Sequence, residues 1–155
     1  MIERYFEGIV PPAGPYTGAD LHIQKTVTDA AARADAAIEK FRIDEAISSI
    51  WTIVDALNLY ITENEPWALA KDEAQRERLG TVLYTAAEGL RALAVLLSPV
   101  MPESTEKLWI ALGAAESIGR LQDQPIREAG TWGVLRPGTS VNGLAPLFPR
   151  VEQSV

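Results

Sequence analysis

The sequence predicts an all-α protein: an antiparallel helical bundle of four to five helices with an extended C-terminal tail. Three observations carry this. Apolar residues recur at alternating steps of three and four over long stretches. Neither glycine nor proline interrupts residues 19–65. Apart from Gly18, Gly80 and Gly89, the strong breakers of the first 113 residues fall between the periodic stretches, where helices must end.

Length and composition agree with one domain. The chain has 155 residues, 47% of them hydrophobic and 23% charged, enough for a real core. No uninterrupted apolar run approaches the length of a membrane span, so no transmembrane helix is expected. The charged N-terminus has no apolar leader segment, which points to a cytoplasmic protein. There is no cysteine, so disulfides, thiolate zinc sites and cysteine nucleophiles are excluded. Fourteen basic residues face 21 acidic ones, a net charge of −7. That field repels phosphate, so any nucleic-acid contact has to be local.

Each element follows in order. Ile2, Phe6 and Ile9 suggest the last turns of a helix ending near Gly8, as if the chain began inside an element. A native start at Met1 is the plainer alternative. Pro11, Pro12, Gly14 and Pro15 then break the chain. Residues 17–41 read as a helix with Val27, Ala31, Ala34, Ile38 and Phe41 on its apolar face. Residues 43–63 form the next, with Ile47, Ile50, Val54, Leu57 and Ile61 inward and Asp44 at the positive end of the dipole. Pro66 opens a short helix reaching about Asp72 and disfavours helix at Glu65.

The third long helix covers residues 73–98, with Leu79, Val82, Ala86, Leu90, Leu93 and Leu97 toward the core. Gly80 and Gly89 lie inside it, each costing about 1 kcal/mol relative to alanine, so close helix approach is expected there. Pro99 and Pro102 separate it from a helix that stops at Gly113. A short helical turn is expected within 116–121. Residues 1–122 therefore form the bundle, and 123–155, rich in proline and glycine, form a tail that packs back on it.

Catalytic chemistry is hard to find. There is no phosphate-binding glycine loop and no dinucleotide fingerprint. The single histidine, His22, stands near a helix start and reads as solvated or capping. Asp44/Glu45 and Asp72/Glu73 read as dipole partners at helix starts. No catalytic and no metal-ligating residue is assigned.

The pointed feature is the stretch from Asn58 to Lys71, where a long helix ends, Pro66 turns the chain and Trp67 opens a new helix. A rigid indole at an element boundary can stack on an unpaired base, worth about 1–3 kcal/mol. Core packing is the plainer reading of Trp67 from periodicity alone. Trp51 and Phe41 read as core, Trp109 as a packing residue, Trp132 as a tail anchor, and Arg76, Arg78 and Arg91 as solvated helix surface.

Asn58-x-Tyr60-Ile61, then Pro66-Trp67-Ala-Leu-Ala-Lys71, a leucine-rich helix and Leu97-Ser-Pro99-Val-Met-Pro102 resemble the C-terminal anticodon-binding domain of methionine–tRNA ligases. The opening from Ile2 to Pro11 is similar to the end of that domain's first helix, and the segment from Pro146 to Glu152 to its return segment. The resemblance covers nearly the whole chain, with residues 123–141 least distinctive.

The resemblance implies a fragment of a class I synthetase that reads the CAU anticodon stem-loop of tRNA. Methionine activation with ATP would belong to an upstream catalytic domain, so the fragment itself would need no cofactor. It implies that Trp67, preceded by Pro66, stacks on anticodon bases, and that Arg4 contacts the anticodon. The family's Asn-x-x-x-Arg pair would fall before Met1. Thr62 stands where some members carry aspartate. The anticodon domains of the valine, isoleucine, leucine or cysteine enzymes share the plan, and a helical protein-interaction module is the reading from another class. The latter would show an exposed apolar stripe on a long helix.

Overall fold

The computed structural model describes residues 1–148. Helices dominate it: α1 (Ile2–Tyr5), α2 (Gly18–Glu39), α3 (Ile43–Asn64), α4 (Pro66–Leu69), α5 (Arg76–Leu97), α6 (Pro102–Ala111) and α7 (Ala114–Ser117). Three of these are single turns. The bundle is therefore built by α2, α3, α5 and α6, and its all-α class is as expected. Among the described residues the only strand-like pairing is an isolated bridge between Ile9 and Ser140.

Helices α2 and α3 form a hairpin around Val27, Ala30, Ala31 and Ala34 on one side and Ala46, Ile50 and Ile53 on the other. The run of alanines on α2 lets α3 approach closely. On α3 the buried row is Ala46, Ile50, Ile53, Leu57 and Tyr60, while Ile47, Val54 and Ile61 are half-buried. The apolar stripe is thus wider than the expected row and centred one residue earlier.

Helix α5 is the central element, buried on nearly every side from Leu79 to Leu97 except at Ala86 and Leu90. Together with its lead-in turn it is long and apolar enough to cross a membrane by length and composition alone. Counting only unbroken apolar runs misses this, because Glu88 and Arg91 interrupt it. The helix lies inside the bundle, which is where its apolar surface goes. Close approach at its glycines is observed. A Cβ on Gly80 would lie 3.3 Å from the Pro12 carbonyl oxygen, and one on Gly89 would lie 2.8 Å from the Leu57 methyls.

Expectations about several single residues fail. Phe41 is not in the core; it is 92% exposed. Its amide bonds to Ile38 O and the Arg42 amide to Ala37 O, both at 2.9 Å, and its φ is +57°. This is a Schellman ending, whose left-handed residue leaves the helical register and swings its side chain off the apolar face. Trp51 is 52% exposed, because it stands a hundred degrees around the helix from its buried neighbour Ile50. Leu90 is exposed and lines an apolar groove of about 480 Å³ with Ile2, Leu83, Leu112 and Leu144. Arg91 is buried, 2% exposed, and pairs with the fully buried Glu88 at 3.1 Å.

That pair explains the tail. Glu88 also accepts the amides of Gly133 and Leu135, while Arg91 donates to the carbonyls of Ala129 and Thr131. The Tyr84 hydroxyl donates to Leu135 O at 2.9 Å. The tail is extended only in part: Leu121–Asp123 and Ile126–Glu128 are single 3₁₀ turns. Beyond them it crosses back to the start of the chain, where Val10 N bonds to Thr139 O and Val141 N to Gly8 O. Trp132 donates to the Tyr16 hydroxyl and Trp109 is fully buried, both in line with their sequence readings. Residues 149–155, which include the last part of the return segment, lie outside the described residues.

Candidate nucleic-acid interface

The Pro66–Trp67 turn is defined by one residue, Glu65. Pro66 disfavours right-handed helix at the position before it. Glu65 takes the left-handed region instead, φ +42° and ψ +60°. In that pose its amide closes α3 on Ile61 O at 3.2 Å, and its carbonyl accepts the Ala68 amide at 2.7 Å to start α4. A left-handed non-glycine residue costs about 1–2 kcal/mol. The chain thus makes a sharp, strained corner between two helices, with proline at the first position of the second.

Pro66 is buried at this corner, and Trp67 beside it is 43% exposed. The indole is anchored along part of its surface and open along the rest. Such a ring can pack on its own protein and still offer area to a planar ligand. Its sequence neighbours Glu63, Glu65 and Lys71 are all exposed.

Beneath the corner lies a polar cluster that joins three helices. Asp20 of α2 is fully buried. It accepts the Thr17 amide at 2.6 Å, the return arm of a capping box, and also the Tyr60 hydroxyl from α3. Arg78 of α5 bridges outward: Nη1 donates to Asp20 Oδ2 and Nη2 to Asn64 Oδ1, each at 2.5 Å. Asn64, the last residue of α3, also donates to Tyr60 O at 2.9 Å. Burial pushes the Asp20 carboxyl up, but the bonds from Arg78, Tyr60 and Thr17 outweigh it and hold the group below its ordinary value. Burial lowers the Arg78 guanidinium, and the Asp20 carboxylate more than reverses that. Burial first, then the same carboxylate, pushes Tyr60 up.

This cluster was not legible as a site. Arg78 read as solvated surface, yet it is half-buried and committed to two partners. The Thr17-x-x-Asp20 spacing is a capping-box signal and could have marked Asp20. Nothing local links either residue to Asn64, because 58 and 14 positions separate Arg78 from its two partners.

The third expected residue, Arg4, is exposed on α1, with its guanidinium 5.5 Å from the ring of Tyr5. No hydrogen bond or ion pair joins it to Pro66 or Trp67 among the described residues. Arg76 is exposed as expected and lies over the Phe6 ring at 4.8 Å. His22 is exposed on the second turn of α2. An exposed apolar stripe on α3 is not continuous, since exposed Asp55 stands between Trp51 and Leu59.

Comparison with known proteins adds an independent line. The model of the family described as "Anticodon-binding domain of tRNA ligase" matches residues 20–139. The methionine–tRNA ligase of Streptomyces coelicolor is 45% identical over 99% of the chain, and that of Caldanaerobacter subterraneus 36% over 98%. The chain spans 29% and 23% of those relatives' lengths. The apo methionyl-tRNA synthetase of Mycobacterium tuberculosis superposes over 99% of the chain with a TM-score of 0.83 at 29% identity, covering 30% of that protein. Its form bound to methionyl-adenylate gives 0.80 over 96% of the chain.

Proposed function

Because the chain belongs to the family of tRNA-ligase anticodon-binding domains, we propose that it reads the CAU anticodon loop of tRNA for a methionine–tRNA ligase. Likeness to methionine enzymes along almost the entire chain supports this amino-acid identity over the valine, isoleucine, leucine or cysteine relatives. Aminoacylation, with ATP as its energy source, belongs to a catalytic domain that the much longer relatives have room for. The chain supplies recognition, in the cytoplasm, and needs no cofactor of its own.

The observation that carries this reading is the half-open indole of Trp67 on a proline-started turn. Anticodon bases are unpaired and can splay outward, and an aromatic face binds them by stacking. A ring already held along one side loses little freedom on binding. Arg4, exposed on α1, contributes positive charge to the same loop in this reading. The strongly acidic remainder keeps phosphate elsewhere from adhering, so the contact stays confined to the loop.

The test is binding of a CAU anticodon stem-loop, against a scrambled loop on the same stem, at low salt. The CAU loop binds more tightly, and Trp67→Ala weakens it by about five- to 150-fold with the helical content unchanged. Equal binding of both loops, or full affinity in a folded Trp67→Ala variant, overturns the reading.

A further inference from the structure

We propose that Arg78 is a positioning residue for Trp67, acting through Asn64 and held in place by Asp20; this rests on the loop-binding role given to Trp67 above. The guanidinium is the only group among the described residues that bonds both to the N-terminal turn of α2 and to the C-terminal residue of α3. Asn64 is followed directly by the left-handed Glu65, then by Pro66 and Trp67. Any rotation of the α3 end turns that corner as a unit, because proline fixes the next φ. The indole's direction is therefore set by where Asn64 sits.

Two features make Arg78 suited to the task. Its planar fork can satisfy two acceptors at once, in a fixed mutual orientation. Its anchor cannot drift: Asp20 is completely buried and is also tied to Thr17 and Tyr60. The strained corner needs such support. A left-handed glutamate persists only where its surroundings over-determine it. The relay thus carries rigidity from the cap of α2, through α5, to the recognition turn.

The charge makes separation of fold and function possible. Arg78→Lys keeps a cation against Asp20 but cannot present the same two-pronged donor to Asn64. Asn64→Ala removes the last link and leaves the Asp20–Arg78 pair intact. Each variant frees the turn to wander, so binding must then immobilise it.

The experiment measures the affinity of the CAU stem-loop for the protein, Arg78→Lys, Asn64→Ala, Trp67→Ala, and the two doubles with Trp67→Ala. Thermal melts accompany every variant. Arg78→Lys and Asn64→Ala each lower affinity by about two- to twelvefold, the cost of ordering a freed side chain. In the Trp67→Ala background both lose their effect, since there is no ring left to aim. A fluorine label on Trp67, read by NMR, also broadens or shifts in both relay variants. A purely structural role would lower the melting temperature without that non-additivity. Multiplying effects in the doubles, or full affinity in Arg78→Lys and Asn64→Ala while Trp67→Ala binds weakly, overturns the relay alone. Full affinity in Trp67→Ala overturns the loop-binding reading and the relay with it.

Discussion

Glu88 and Arg91, one turn apart on the central helix, form an ion pair at 3.1 Å that is closed to solvent on all sides. Glu88 also accepts the Gly133 and Leu135 amides, and Arg91 Nη2 donates to the Ala129 and Thr131 carbonyls, so the tail gives each charge further partners. The pair joins bundle and tail into one unit. Arg91→Met should cost about 3–5 kcal/mol, since it strands a buried carboxylate. Glu88→Gln, which keeps an acceptor, should cost less. Urea unfolding measures both, and limited proteolysis should find new cleavage within residues 129–135. A loss below about 1 kcal/mol for Arg91→Met would show that the tail does not depend on the pair.

Asp20 gives stability a defined acid dependence. Its folded-state pKa lies below the ordinary 3.8, so the unfolded chain takes up the proton first. The stabilisation is therefore present above that value and fades as pH falls through the folded pKa. Unfolding free energies of the protein should drop more steeply between about pH 5 and pH 2 than those of Asp20→Asn, which should be less stable at neutral pH. Parallel slopes for the two would remove Asp20 from the acid transition.

Gly113 is required by the backbone. Its φ is +68°, and a Cβ there would lie 2.1 Å from the Ser140 carbonyl oxygen. Gly113→Ala meets both the left-handed penalty and a clash with the returning tail. It should destabilise by more than about 1 kcal/mol. An unchanged urea midpoint would mean the tail moves away without cost.

Phe41 presents the opposite case, a large ring in a conformation that favours small or polar residues. It is exposed at the α2–α3 corner with φ +57°. Phe41→Asn should raise stability by about 0.5–1 kcal/mol, because asparagine tolerates the left-handed region better. A lower melting temperature would show that the ring makes a stabilising contact.

Helix positions were readable because periodicity and breakers act locally. The ends of α2, α3 and α5 fall within about two or three residues of those expected, and the Pro66 corner lies where the residues require it. The periodic stripe of α2 continues in the sequence past the residue where the helical register ends, so Phe41 leaves the core face. The burial of Arg91 is invisible locally, because an acid–base pair at i, i+3 looks the same on a wet surface as in a sealed core.

The sequence alone therefore determined the helical class, the corner before Trp67 and the likeness to the ligase family. Those depend on neighbours a few residues apart and on motif order. Tertiary structure alone decided that the Trp67 ring is open, that Arg78 bridges Asp20 to Asn64, and that Glu88 and Arg91 hold the tail. Each of these rests on residues brought together from distant positions, and their partners emerge only when packing fixes which face of each helix is denied water.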